Sequence, residues 1–205
     1  LTVLHLGDDE NRFSPDWLQR VHSTLDDVDD VLVTTGGGKF YSNGLDLDWL
    51  MANGDKAAEY VAEVQELFAR VLTLPVPTVA AVNGHAFGAG AMLAMAHDFR
   101  VMRGDRGYFC FPEADINIPF TPGMAALIQG KLTPAAAIAS MTTGRRFGGA
   151  DALSLGLVDE IAAEGDVVKV ASERVEALAG KDKGTLGAIK ATMFAPAVAA
   201  LRAPA

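Results

Sequence analysis

Thr78-Val79-Ala80-Ala81-Val82-Asn83-Gly84-His85-Ala86-Phe87-Gly88-Ala89-Gly90 runs directly into Ala91-Met92-Leu93-Ala94-Met95-Ala96-His97. A short apolar run bounded by Pro77 and Asn83-Gly84 reads as a buried strand. The glycines after it let the backbone turn sharply and expose amide N–H groups. They lead into a helix whose first N–H groups have no intrahelical partner and favour negative charge. The same grammar occurs upstream. Val31-Leu32-Val33-Thr34-Thr35 is a β-branched buried strand, followed by Gly36-Gly37-Gly38 and the turn Lys39-Phe40-Tyr41-Ser42-Asn43-Gly44-Leu45-Asp46-Leu47. Strand, glycine turn and helix, twice over, predict an α/β core. Two exposed amides converging on one point would stabilise an enolate or a tetrahedral oxyanion. On the glycine pattern alone, tight connections in a packed core are the simpler reading.

Outward from these turns, Leu1 to Leu6 alternates as a strand, and Ser14-Pro15 is a helix cap followed by the favoured first-turn proline. Trp17, Leu18, Val21 and Leu25 supply that helix's apolar face. Ala57, Val61, Val64, Leu67, Phe68 and Val71 recur at helical spacing and predict a long amphipathic helix ended by Pro75 and Pro77. Beyond Thr133-Pro134 the pattern turns helical. Ala135 to Met141 is one helix, and Ala150 to Leu155, stopped by Gly156, is a second. A third carries Val168, Ala171, Val175 and Leu178, capped by Asp166 and ended by Gly180. No linker, low-complexity tract or strict repeat interrupts the chain. The reading is a catalytic-looking core over residues 1–145 and a helical C-terminal region over 146–205.

Composition narrows the function. Half of the 205 residues are hydrophobic and 21% are charged, ordinary for a globular chain. Seventeen Lys and Arg against 26 Asp and Glu leave a net charge of −9, which argues against a nucleic-acid or anionic-membrane partner. A single cysteine, Cys110, cannot form an internal disulfide. No uninterrupted apolar run has the length of a transmembrane helix, and no targeting signal stands in these residues. A cytoplasmic protein is expected.

Several chemistries fail on their motifs. There is no G-x-S-x-G nucleophile elbow. Gly38-Lys39 precedes Phe40 rather than Ser or Thr, so a P-loop lacks its magnesium ligand. The glycines at 84, 88 and 90 do not make a dinucleotide fingerprint. His5, His22, His85 and His97 show no metal-ligand spacing. No metal is expected, and His85 and His97 read as capping or packing residues. Asp26-Asp27-Asp29-Asp30 reads as a solvated turn.

The remaining segments carry a resemblance. Phe40 to Leu47 resembles the F-S-x-G-x-D-[LI] element of the crotonase superfamily, the enoyl-CoA hydratases and isomerases. Pro75 to Met95 is similar to that family's P-[VT]-[IV]-A-A-[VI]-x-G segment and the glycine-rich turn after it. His97-Asp98-Phe99-Arg100 follows its C-D-[IY]-R continuation, and Phe111-Pro112-Glu113-Ala114-Asp115-Ile116 its P-E segment. Thr142 to Gly144 and Ala150 to Asp159 resemble its T-G and G-L-V-[DN] elements. Asn117 stands where the family usually has glycine. The segments are collinear over most of the chain.

The resemblance implies a right-handed spiral of β-β-α turns with a helical C-terminal region. It also implies an acyl-CoA thioester as substrate, no cofactor beyond the coenzyme A that the substrate carries, and a homotrimer or a dimer of trimers. Helices between Ala150 and Leu178 are expected at the oligomer contact. The oxyanion amides carry over to Leu45 and Ala89. Ser42, Asn43, Gly44, Asp46 and Gly88 become substrate-binding candidates. Lys39 is a candidate phosphate contact, the alternative being a solvated lysine beside a turn. Hydratases of the family use two glutamates, because one carboxylate activates water while the other handles the proton on carbon. The first position falls on Met92, which can do neither. The second is Glu113, with Phe109, Phe111, Pro112 and Ile116 around it. A lone glutamate suits a 3,2-enoyl-CoA isomerase, in which it takes a proton from C2 and returns it to C4. An enoyl-CoA hydratase and a non-catalytic acyl-CoA-binding paralogue are the alternatives.

Overall fold

The computed structural model describes residues 1–204. The chain winds so that each turn leaves one strand in each of two sheets. It opens with β1 (Thr2–His5) and α1 (Pro15–Asp26), then makes β2 (Leu32–Thr35), β3 (Phe40–Ser42), α2 (Leu47–Ala52) and α3 (Ala57–Leu72). The next turn is β4 (Thr78–Val82), β5 (His85–Phe87) and α4 (Ala89–Ala96). The third is β6 (Phe99–Arg103), β7 (Phe109–Cys110), α5 (Glu113–Ile116), α6 (Pro122–Lys131) and α7 (Pro134–Met141). The chain closes with β8 (Arg146–Phe147), α8 (Gly149–Leu155), β9 (Glu160–Ala162), α9 (Val167–Glu176), α10 (Lys183–Met193) and α11 (Ala195–Arg202). One sheet runs β1-β2-β4-β6-β9, all parallel. The other runs β3-β5-β7-β8, parallel except for the last pair.

Local chemistry explains the elements. Ser14 caps α1 by accepting from the Trp17 amide at 3.2 Å, and Trp17, Leu18, Val21 and Leu25 are its buried face. Strands β2 and β4 are buried along their whole length, as continuous β-branched and alanine runs in a parallel sheet require. Helix α3 turns Val64, Leu67, Phe68 and Val71 into the main core, where α4 is sealed on every side. Helix α11 returns to pack against α3 and α6.

Three expectations need amending. The region after residue 145 is not purely helical, since β8 and β9 complete the two sheets. Asp166 does not cap α9: it ends a 3-10 turn, and its side chain makes no capping bond. The helix stops at Glu176, short of Gly180. The third amendment concerns the apolar face of α9. Val167, Ala171 and Val175 pack on the five-stranded sheet with Val31, Val33, Val79, Ala81 and Val101, so this face is already covered by its own chain. The most exposed apolar side chains on helices lie elsewhere: Met51 on α2 at 85%, and Ile138 on α7 and Met193 on α10, each 64% exposed.

Candidate active site

Both glycine turns lie at the ends of short strands in the smaller sheet, and the fold pins them together. Asn83 accepts from the Gly36 amide at 2.8 Å and donates to the Phe40 carbonyl at 3.1 Å. Asn11, left-handed at φ 52°, donates to the carbonyls of Phe40 and Tyr41. Gly44 has φ 80°, and a methyl on it would lie 2.8 Å from the Phe87 carbonyl oxygen and 2.9 Å from the Ala89 nitrogen. Only glycine permits both that backbone and that approach. Gly88, at φ 56° and ψ −123°, turns the chain so that α4 begins with the Ala89 amide. Among the described residues, no internal hydrogen bond uses the amide of Leu45 or of Ala89. Two free donors therefore end up on neighbouring turns.

They open into one cleft of about 340 Å³ that also contains Glu113. Its walls include Asn43, Leu47, Phe87, Gly88, Pro112, Ile116 and Ile118, with Arg12 and Asp48 also lining it. Glu113 is the first residue of α5, 8% exposed, and its Oε2 has no hydrogen-bond partner. Burial pushes its carboxyl up from 4.5 to about 7, the Glu113 backbone amide opposing this weakly. A buried carboxyl that titrates near neutrality, facing apolar walls and two free amides, suits proton transfer beside a developing oxyanion. Asn117 ends α5 at φ 60°, a left-handed position that asparagine tolerates in glycine's place.

The site residues expected from the sequence separate into groups. Glu113, Leu45, Ala89, Asn43 and Gly88 line the cleft together, and Gly44 sits directly behind the two amides. Ser42 does not reach the cleft. It is fully buried, donating to the Asn11 carbonyl at 2.8 Å and accepting from the Gly44 amide at 3.1 Å. Asp46 caps α2 through the Trp49 amide, while Tyr60 holds the Asp46 amide at 2.9 Å and the Phe13 carbonyl at 2.7 Å. Both side chains are hydrogen-bonded within the turn itself. Lys39 opens onto a different, larger cleft of about 750 Å³ shared with His85, Arg103 and Arg106. That cleft contains neither free amide, so size does not select the site. Phe109 and Phe111 pack edge-to-face in the core, and Phe87, Pro112, Ile116 and Ile118 supply the apolar wall in their place.

Met92 is 1% exposed and lies outside the lining of the cleft. The only other acid there among the described residues is Asp48, ion-paired to Arg12 at 3.0 Å. His97 behaves as a packing residue. It is buried with Nδ1 on the Leu93 carbonyl and Nε2 on Thr34, which also contacts Tyr41. Burial lowers its pKa to about 3, so the ring is neutral. No local pattern ties Arg12 to the turn, although its partner Asp48 directly follows it. The link is long-range, a bridge between Phe13 and Leu45 with the Phe13 amide on the Gly44 carbonyl at 2.8 Å.

The enoyl-CoA hydratase/isomerase family model matches residues 9–203. An Arabidopsis thaliana protein named enoyl-CoA delta isomerase 2, peroxisomal, is 40% identical over 190 residues, 85% of this chain and 79% of the relative. The crystal structure of a probable enoyl-CoA hydratase from Mycobacterium tuberculosis superposes with a TM-score of 0.90 at 30% identity, covering 98% of this chain and 88% of that one. An apo structure of the same mycobacterial protein, there called an enoyl-CoA isomerase, gives 0.86 at 30% identity, covering 95% and 86%. The spiral of two sheets with helical cover is the fold of these proteins.

Proposed function

The chain belongs to the enoyl-CoA hydratase/isomerase family, and we propose that within it this protein is a 3,2-enoyl-CoA isomerase with one acid–base group. The observation that carries this reading is the buried Glu113 carboxyl, its Oε2 without a partner among the described residues, in the cleft lined by Leu45 and Ala89. The thioester carbonyl of a 3-enoyl-CoA accepts from the amides of Leu45 and Ala89. Ionised Glu113 takes a proton from C2, and the electron pair moves toward the thioester oxygen, where both amides stabilise it. The protonated Glu113 then delivers that proton to C4, the double bond settles between C2 and C3, and the carboxylate is restored. One carboxyl can serve both carbons because no water has to be held. The names of the plant isomerases support the same reading.

Hydration needs a second carboxylate to activate water, and the only other acid lining this cleft among the described residues is Asp48, 88% exposed and paired with Arg12 at 3.0 Å. Given separately 3-enoyl-CoA and 2-enoyl-CoA, the protein is expected to form the conjugated double bond in the first and to hydrate the second poorly. Hydration at a rate matching isomerisation would overturn the single-base mechanism. Turnover of neither thioester would favour the non-catalytic acyl-CoA-binding alternative.

The reading includes a homotrimer or a dimer of trimers. Because the α9 face is spent inside the chain, we place the contact on the exposed apolar side chains of α7 and α10, Ile138, Ile189 and Met193. Sedimentation at micromolar concentration should show the oligomer, and Met193→Asp should shift it toward monomer. A wild type that sediments only as a monomer would remove this part of the proposal. No single helix among the described residues is long and apolar enough to cross a membrane. A cytoplasmic location stays part of the reading, and cell fractionation tests it.

A further inference from the structure

We propose that the Tyr60 hydroxyl is a positioning group for the reaction: it stands inside the hydrogen-bond chain that joins the oxyanion turn to Phe13, and so sets the aim of the Leu45 amide. This rests on the functional reading above. Two peptide planes flank Leu45. The Leu45 N–H shares the first with the Gly44 carbonyl, which accepts from the Phe13 amide at 2.8 Å. The second carries the Asp46 N–H, which donates to the Tyr60 hydroxyl at 2.9 Å, and that hydroxyl donates in turn to the Phe13 carbonyl at 2.7 Å. Phe13 and Leu45 form a parallel bridge. In a regular parallel ladder the Asp46 N–H would donate straight to the Phe13 carbonyl. Here the tyrosine oxygen is inserted between them, and no direct hydrogen bond joins the two among the described residues. The turn is therefore tied directly to Phe13 on one side of Leu45 and spaced from it by a hydroxyl on the other.

The other donor is set by different means. The Gly88 carbonyl shares a plane with the Ala89 N–H and accepts from the Met92 amide at 3.0 Å, while the Gly88 amide donates to the Cys110 carbonyl at 3.0 Å. Helix α4 and strand β7 thus fix Ala89. Leu45 lies two residues before α2, and its carbonyl accepts from the Leu47 amide at 3.0 Å within the turn. Its orientation depends on the chain through Tyr60. That side chain suits the task, being 3% exposed on α3 with its ring 5.2 Å from that of Trp49. Burial raises its pKa to about 12, so at neutral pH the hydroxyl keeps the proton it donates. A misaimed oxyanion donor loses more in the transition state than in the ground state, because its bond strengthens as charge builds on the oxygen.

The test is Tyr60→Phe in the full chain, which keeps the ring and removes the oxygen. Asp46 then closes onto Phe13 or takes a water, and either way the Leu45 amide changes its aim. For 3-enoyl-CoA, kcat should fall about tenfold, less than the 10²–10³ of a deleted donor, with KM nearly unchanged. The second readout is the infrared band of the thioester carbonyl in bound hexanoyl-CoA, isotope-labelled at that carbon. Wild type should lower the band, and Tyr60→Phe should return it part of the way toward the unbound thioester. A merely loosened fold would weaken binding and leave the band of the bound fraction unmoved. Anything short of both changes, a lower kcat and a moved band, would overturn the proposal. If Tyr60→Phe does not fold, 4-aminophenylalanine at this position replaces it, since it still donates to Phe13 but accepts poorly from Asp46. It should show both changes in smaller degree, and wild-type behaviour there would overturn the proposal equally. A wild type that lowers the carbonyl band yet does not isomerise 3-enoyl-CoA would sink the functional reading, and the band in Tyr60→Phe alone would then decide the role of Tyr60. A wild type that leaves the band unmoved would sink both.

Discussion

Glu113→Gln should slow isomerisation of 3-enoyl-CoA by roughly 10²–10⁴, the range for a positioned general base, while acyl-CoA binding survives. The amide is nearly isosteric, and Oε2 has no internal partner to lose, so the fold should persist. Absorbance of the conjugated thioester follows the rate, and titration with a saturated acyl-CoA follows binding. Near-normal turnover would refute Glu113 as the base. The pH dependence has a definite sign. Burial raises the carboxyl from 4.5 to about 7, and only the carboxylate can accept the C2 proton. Turnover should climb through about pH 7 and level off above it, with that limb absent in Glu113→Gln.

Stability should move the opposite way. Between pH 4.5 and about 7 the folded state holds a proton on Glu113 that the unfolded chain releases, so stability falls as pH rises through this window. Above it the penalty for burying the charge is complete, on the order of 3 kcal/mol. Glu113→Gln should therefore unfold at higher denaturant than wild type at pH 8, with the advantage shrinking toward pH 5. A residue whose removal stabilises the fold and stops the reaction is held there against the preference of the fold.

How far the sequence foretells this site depends on the range of the contacts involved. The amphipathic faces of α1 and α3 follow from spacing alone, and Trp17, Leu18, Val21, Val64 and Phe68 are all buried as expected. Thr121-Pro122 opens α6 with the same cap-and-proline signature as Ser14-Pro15, the Thr121 hydroxyl accepting from the Met124 amide at 3.1 Å, so the start of that helix was legible in the sequence. The three-residue strands β3 and β5 were not, because what makes them strands is pairing with each other and with β7. Periodicity identifies the apolar face of α9 but cannot say whether the same chain or another copy covers it, and here it is the same chain's sheet. The glycine turns reveal free amides, since the constraint is local. Which cation shares their cleft is decided by a bridge from Phe13 to Leu45. A lysine six residues before Leu45 faces away from the cleft, while Arg12, far off in sequence, lines it.

The oxyanion donors can be removed without touching the base. Ala89→Pro deletes one amide N–H and should lower isomerisation by about 10²–10³, the usual cost of a lost oxyanion donor. Ala89 is the first residue of α4, where a missing N–H breaks no intrahelical bond and a fixed φ matches the helix. Its amide has no internal acceptor, so the fold loses no hydrogen bond. The ring's Cδ occupies the direction in which the N–H pointed, so the thioester oxygen loses its donor and meets a methylene. Ala89→Gly separates donor loss from any change of shape: it keeps the N–H and should retain most of the activity. The two variants should also differ in kind, because a donor that strengthens its bond as charge develops on the oxygen affects turnover more than ground-state binding. Ala89→Pro should therefore lower kcat more than it raises KM for 3-enoyl-CoA. Equal activity in the two variants would show that the Ala89 amide is not an oxyanion donor and would leave the cleft with Leu45 alone.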